Sequence, residues 1–437
     1  MNPHSLTLRD SVSNSEYALG IDLGTSGIRA CVIDSQGKII AEQRVAGQII
    51  ARPQPGWAEQ RPEVWWSDVV AVIQNFDVKI RKRISSLAID GTSATLLLCD
   101  SLGQVCTPAL MYNDARALDQ AVKIRAVAPA ESAAHGASSS LAKLLWFLEN
   151  KSSSPPAYAL HQADWINARL SGRWGFSDSN NALKLGYDPL LRCWPEWLDQ
   201  LDINLELLPK VLTPGETLGE ITHSAAHETG LPEHTRIVAG TTDSIAAFIA
   251  TGANQAGDAV TSLGSTLVIK VITEHPISAP KYGIYSHKYG DAWLVGGASN
   301  SGGAVLKQYF SAEEILTYSA LIDPNQPSDL DYYPLPSIGE RFPIADAKLQ
   351  PRLEPKPNND PVKFLHGLLE GIAKIEQLGY QRLTELGAPA TGKIITVGGG
   401  SINPQWRVMR ERLLGKSVET PKYTEAAYGA ARIAARA

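Results

Sequence analysis

Two stretches far apart in the chain share one local design. Asp22-Leu23-Gly24-Thr25-Ser26 runs into Gly27-Ile28-Arg29-Ala30-Cys31-Val32, and Ser262-Leu263-Gly264-Ser265-Thr266 runs into Leu267-Val268-Ile269-Lys270-Val271-Ile272. Each reads as a strand, a Leu-Gly-hydroxyl-hydroxyl turn and a second strand. Such an echo points to a duplicated fold in which a turn from each half faces a shared cleft. The length of 437 residues fits, being too long for one core and suited to two domains of roughly 100–200 residues each. The expected division is 17–250 and 251–437 behind a flexible tail over 1–16, with the closing segment 424–437 packing back on the first half.

Composition narrows the class. Apolar residues at 44% and charged residues at 19% describe a globular chain. A formal net charge of −5 without a long basic run makes nucleic acid a poor partner. Cys31, Cys99, Cys106 and Cys193 are scattered without a CxxC pair, as expected of free thiols in a reducing compartment. The opening MNPHSLTLRDSVSNSEY lacks the apolar core of a secretory signal, and no apolar run approaches ~18 residues. The expectation is a cytoplasmic protein with no membrane partner.

Strands alternate with helices, which indicates an α/β architecture. Three strands are expected over 17–46, with Asp34-Ser35-Gln36-Gly37 turning the second into the third. The stretch RPEVWWSDVVAVIQNF reads as a helix with Pro62 in its first turn, and ISSLAID as a strand ending at Gly91-Thr92-Ser93. SSSLAKLLWFLEN reads as a capped helix and KSSSPP as a loop. A second α/β block opens near IVAGTTDSIAAFIATG. Residues 321–361, rich in Pro, Asp and Asn, read as a long irregular excursion before a helix over 365–387 that Gly387 ends.

The turns carry the chemistry. A glycine there lets backbone approach a ligand, hydroxyls flank it, and successive N–H groups can cradle an anion. Two such turns can grip one polyphosphate from both sides; taken singly, each is also an ordinary tight hairpin. Asp22 ends an otherwise apolar strand. It reads either as a carboxylate bonded to turn N–H groups or as the holder of a Mg²⁺ that bridges phosphate oxygens. Gly398-Gly399-Gly400-Ser401 follows the strand KIITV and allows backbone to lie flat on a planar base such as adenine. Trp406, one turn into the next helix, reads equally as a base-stacking or a core residue. Asp243 opens a helix after Gly240-Thr241-Thr242. It is either a helix cap or a general base for a hydroxyl, kept ionised and weakly basic by the helix N-terminus. No GxxxxGK[ST] and no GxSxG is present, and His223 and His227 lack the HExxH setting of a metal site.

Taken together and in order, these segments resemble the FGGY carbohydrate kinases, from Tyr17 to the end. GIDLGTSGIRA resembles the first phosphate motif of that family and AEQRPEVWW its following helix. ALMYNDARA resembles the Trp-x-Asp-x-Arg substrate strand, with Tyr112-Asn113-Asp114 for the usual Trp-Asn-Asp. HQADWINARLSG and SDSNNALKLGYD resemble the lid. VAGTTDSIAAFIATGA carries the catalytic aspartate position, SLGSTLVIKV the second phosphate motif, TVGGGSINPQW the adenosine motif and EAAYGAARIAA the closing helix.

The resemblance implies two RNase-H-like α/β domains of the actin, sugar kinase and Hsp70 superfamily flanking an ATP and sugar cleft. It implies ATP-dependent phosphorylation of a sugar hydroxyl. Asp243 is then the base, Asp22 the Mg²⁺ partner and Thr25 the hydroxyl near the transferring phosphate. Gly24, Thr25, Gly264, Ser265, Thr266, Gly399, Gly400, Asn403 and Trp406 fall at nucleotide positions. Xylulose kinases usually carry Met-His-Gly after the strand that ends here at Asp90, whereas this chain has Thr92-Ser93-Ala94-Thr95. ERFPIADAKLQPRL lacks the usual Arg-Thr-Pro pattern, and the chain is short for the family. These departures resemble the short D-ribulose kinase subgroup, with Ser26, Ser93, Asp114 and Asp243 bonding a ketopentose. Other ketoses or polyols are the alternative acceptors. A non-catalytic or chaperone-like ATP-binding protein is the alternative of another class.

Overall fold

The computed structural model describes residues 16–47, 49–150 and 154–437. The tail expected over 1–16 therefore lies outside the described residues, apart from Glu16, and so does the first half of the KSSSPP loop.

Two six-stranded sheets form the frame. The first contains β1 (Tyr17–Gly24), β2 (Gly27–Ile33), β3 (Ile39–Ala46), β4 (Ile84–Gly91), β5 (Thr217–Glu220) and β6 (Arg236–Thr242), in the order β5-β6-β4-β1-β2-β3. The second contains β7 (Ala259–Leu263), β8 (Leu267–Thr273), β9 (Tyr285–Tyr289), β10 (Ala292–Ser299), β11 (Ile394–Val397) and β12 (Val418–Glu419), in the order β9-β10-β8-β7-β11-β12. In the first sheet β1–β2 and β2–β3 are antiparallel while β1–β4 and β4–β6 are parallel. In the second, β7–β8 and β8–β10 are antiparallel while β7–β11 and β11–β12 are parallel. The two halves repeat one RNase-H-like topology, as the sequence echo implied.

Helices cover both faces of each sheet. Pro62–Gln74, Gln162–Ser171 and His223–Thr229 bury the outer face of the first. Pro62 takes the first helical position, where its missing N–H costs no bond. Asp243–Ala250 and Ala426–Ala434 lie between the sheets, in one apolar cluster that includes Ala18, Ala88 and Val238 of the first and Val260, Ile272 and Ile395 of the second. The contact is close because it is made of small residues. A Cβ on Gly20 would stand 2.1 Å from Ala427 O, and one on Gly429 would stand 1.8 Å from Ala246 O. A smaller four-stranded sheet (Glu59–Gln60, Leu96–Cys99, Ala109–Leu110, Tyr158–His161) carries its own core under the helices Leu118–Val127 and Ser140–Glu149.

The excursion over 321–361 contains no helix or sheet strand until Pro361, as its composition indicated. The helix after it is longer than expected. Pro361–Glu385 begins at the proline, capped by Asp360, whose carboxylate accepts from Lys363 N. Among the described residues no helix is long and apolar enough to cross a membrane.

Candidate active site

Three carboxylates meet at neighbouring strand ends of the first sheet. Asp22 lies two residues before the end of β1, Asp90 is the penultimate residue of β4, and Asp243 follows β6 directly. Parallel pairing sets Asp22 opposite Asp90 and Asp90 opposite Thr241. Ligands of open α/β sheets gather at such carboxyl ends. Gly240 makes the close approach possible, since a Cβ there would meet Ile89 O at 1.7 Å.

Asp22 does not bond the turn amides. Its Oδ2 accepts from Arg29 Nη1 at 3.0 Å, across the β1–β2 hairpin. Burial holds its carboxyl above the ordinary range, and the neighbouring Asp90 and Arg29 act against that rise. Asp90 was not anticipated, although Leu87-Ala88-Ile89-Asp90 repeats the Leu19-Gly20-Ile21-Asp22 pattern. It is fully buried, and among the described residues no donor reaches either of its oxygens. Burial, then the charges of Asp22 and Asp243, hold its carboxyl well above the ordinary range.

Asp243 corrects an expectation. The helix cap is Thr242, and Asp243 is the first helical residue, its Oδ1 accepting from its neighbour Ser244 N at 2.6 Å. The helix terminus does not leave it a weak base. Burial pushes its carboxyl up to about 6, outweighing that bond and the opposing charges of Lys184 and Lys270.

Asp22, Gly24, Thr25, Ser26 and Asp243 line one cavity, joined by Arg29, Ser244 and Glu425. Gly264, Ser265, Gly399, Gly400, Asn403 and Trp406 line a second, walled by the apolar Leu306, Ile315 and Leu316. Gly399 faces open space, whereas a Cβ on Gly400 would strike the Trp406 ring at 2.6 Å. Trp406 itself is mostly core, 3% exposed with Nε1 donating to Leu369 O. Asn403 is spent on structure: Oδ1 caps Trp406 N, and Nδ2 donates to Ser319 Oγ. Thr266 closes the β7–β8 turn, its carbonyl accepting from Gly264 N. Gly302 and Gly303 were missed; Gly303 N donates to Gly264 O and braces that turn from behind.

The loop after β4 is held from two sides. Thr92 bonds Gln162 Oε1 through both its N–H and its hydroxyl. Lys143, fully buried, donates to Ala94 O at 2.7 Å and Met111 O at 2.8 Å. Ala94 sits at φ +68°, so Ser93 lies on a tight, pinned turn and is itself partly buried. Asp114 is not placed to meet a ligand. Its oxygens accept from Ala58 N and, in a fork, from Arg116, whose guanidinium also reaches Glu59 and stacks 3.5 Å over Trp57. Asp114 is 0% exposed, and with both oxygens occupied it holds Arg116 rather than facing the cleft.

Comparison with known proteins identifies the family. The family model for the N-terminal domain of the FGGY carbohydrate kinases matches residues 17–250, and that for the C-terminal domain matches 259–437. A xylulose kinase of Escherichia coli (strain K12) is 25% identical over 436 residues, 95% of this chain and 89% of the relative. A solved xyloylose kinase from Brucella ovis superposes with a TM-score of 0.85 at 23% identity, over 96% of this chain and 90% of that one. The Plasmodium falciparum glycerol kinase solved with ADP gives 0.84 at 17% identity, over 96% and 89%. With both domain models matched in order and nearly the whole chain accounted for, the protein belongs to the FGGY family of carbohydrate kinases.

Proposed function

We propose that this sugar kinase transfers the γ-phosphoryl group of ATP to the terminal hydroxyl of a ketopentose, D-ribulose giving D-ribulose 5-phosphate. The observation that carries the transfer is the meeting of Asp22, Asp90 and Asp243 at neighbouring strand ends, beside the Gly24-Thr25-Ser26 turn. Asp243 takes the proton of the acceptor hydroxyl. With its carboxyl pushed up to about 6, it is ionised at neutral pH and still a useful base. Little base strength is needed, because phosphoryl transfer has a loose transition state and depends on positioning. The Gly24-Thr25-Ser26 and Gly264-Ser265-Thr266 turns bind the polyphosphate, with Thr25 beside the transferring group. The apolar cavity at Gly399 takes the base, with Trp406 and Asn403 supporting its floor.

Mg²⁺ fits the residues present. Asp90 offers two buried oxygens that no protein donor reaches, and Asp22 adjoins it. Among the described residues no three His, Cys, Asp or Glu side chains form a metal cage. That suits an ion which keeps waters and binds through one or two carboxylates plus phosphates. Bound there by Asp22 and Asp90, it would neutralise charge on the phosphate oxygens.

D-ribulose is read from the acceptor loop, where Thr92-Ser93-Ala94-Thr95 puts no imidazole over the pocket. Ser93, Ser26 and Asp243 bond the acceptor, and Asp114 holds Arg116 in place instead of bonding the sugar. The names of the relatives favour D-xylulose as the second reading. The test is ADP release with ATP, Mg²⁺ and D-ribulose, L-ribulose, D-xylulose, L-xylulose, glycerol or sedoheptulose. D-ribulose is expected to give the highest kcat/KM. Preference for D-xylulose would overturn the loop argument alone. ADP release that no sugar stimulates would overturn the transfer and favour an ATP-binding protein without an acceptor.

A further inference from the structure

The loop after β4 starts beside Asp243. Gly91 pairs with Thr242, the residue before that aspartate, so Thr92-Ser93-Ala94-Thr95 leaves the sheet at the carboxylate strand ends. Two buried side chains then fix its course. Gln162 Oε1 accepts from Thr92 N at 3.1 Å and from Thr92 Oγ1 at 2.8 Å. Lys143 Nζ donates to Ala94 O at 2.7 Å and to Met111 O at 2.8 Å. Ala94 is left-handed at φ +68°, a conformation that costs energy in a residue with a Cβ and persists only where its surroundings hold it. Met111 O also accepts from Asp114 N at 2.9 Å. Lys143 therefore ties the loop to the turn that sets out Asp114 and Arg116.

The two clamps are themselves joined. Lys143 lies in the first turn of the helix Ser140–Glu149, and Gln162 opens the helix Gln162–Ser171. A chain of buried bonds links the starts of these helices. Ser140 Oγ bonds His161 Nε2 at 2.9 Å, and His161 Nδ1 bonds Asp164 Oδ2 at 2.9 Å. Ser140 and His161 are fully buried and Asp164 nearly so. The loop, both helices and the Met111 turn thus form one closed frame of buried hydrogen bonds. Lysine is among the residues least often buried completely, because its amino group loses water that only well-placed acceptors replace. Here the acceptors are two backbone carbonyls from separate segments, so the lysine serves to hold those segments at a fixed separation.

We propose that Lys143 is a positioning residue for sugar selectivity: by fixing Ala94 and Met111 to one another, it holds Ser93 where it bonds the acceptor. The inference rests on the reading above that this loop receives the sugar. Thr92, Ser93, Ala94 and Thr95 are all small, and none reaches far over a substrate. Small side chains discriminate between epimers only if the backbone beneath them stands still, since a displacement of about 1 Å undoes a productive geometry. Selectivity in this chain therefore lies in a buried clamp behind the loop.

The test is steady-state kinetics and amide hydrogen exchange on wild type, K143M and K143Q. In K143M the KM for D-ribulose is expected to rise about tenfold while the KM for ATP stays within about twofold. The ratio of kcat/KM for D-ribulose to that for its C3 epimer D-xylulose should fall about fivefold or more. K143Q, whose amide can still donate to a carbonyl, should lie between K143M and wild type, and it carries the comparison if K143M does not fold. An unchanged KM for the sugar overturns the proposal. So do equal rises in the KM for sugar and for ATP, the mark of a loosened fold. Exchange measured without ligands separates this proposal from the transfer reading. Thr95 N and Asp114 N, bonded to Thr92 O and Met111 O, should exchange faster in both variants, with the amides of Gln162–Ser171 unchanged. If wild type phosphorylates no sugar, the transfer reading fails, and exchange still decides the clamp. Faster exchange confined to those amides supports it, and unchanged or uniformly faster exchange overturns it.

Discussion

The two halves of this chain share a topology and differ in what stands at one pair of positions. In the first sheet the parallel strands β1 and β4 set Asp22 beside Asp90. In the second, β7 and β11 set Ser262 beside Val397 in the equivalent place. One half therefore concentrates carboxylates, and the other offers a hydroxyl and an apolar wall. The difference fits the two tasks proposed above: charge and proton handling on one side, a flat base and its phosphates on the other. Duplication supplies the frame, and a few strand-end substitutions divide the labour.

The largest effect is expected at Asp243. Asp243→Ala should lower sugar-dependent ADP release by about 10³-fold or more. In the wild type, kcat/KM should rise with pH through about 6 and then level, because the protonated acid cannot accept a proton. An acid limb well below that range would remove Asp243 as the base. Asp22→Asn should cost ~10²-fold in kcat, while Ser262→Ala, its counterpart, should cost under ~3-fold. Equal losses would break the asymmetry between halves. Asp90→Asn should reduce kcat on the order of tenfold and shift the Mg²⁺ dependence to higher concentration. Gly429→Ala places a Cβ against Ala246 O and should destabilise by about 1–3 kcal/mol in a melting curve. Trp406→Phe removes the bond to Leu369 O, worth ~1 kcal/mol of stability, and should change the KM for ATP by less than ~3-fold.

Local pattern made much of this legible. The hairpins, the helix at Pro62, the capped helix at Ser139 and the glycine turns all depend on neighbours in sequence, and they appear where the pattern puts them. Asp90 was legible in principle, since it repeats the motif around Asp22, but a carboxylate at the end of one more buried strand draws no notice alone. Asp114 misled because its environment is remote: Ala58 and Glu59 lie far back in the sequence, and Trp57 stacks on Arg116. The basicity of Asp243 is also non-local. A helix terminus argues for a low value, and only burial, helped by the charge of Asp22, reverses it.

The helix Ala426–Ala434 has a consequence for synthesis. It seals the first sheet: Ser86 Oγ donates to Ala434 O, and Tyr428 Oη donates to Gly37 O. The strands that need it leave the ribosome hundreds of residues earlier. Until translation passes residue 434, one face of β1 and β4 stays uncovered and invites wrong partners. The first half cannot finish folding as a unit of its own, so a slow or truncated translation exposes the half that holds the carboxylates, long after its sequence has been made.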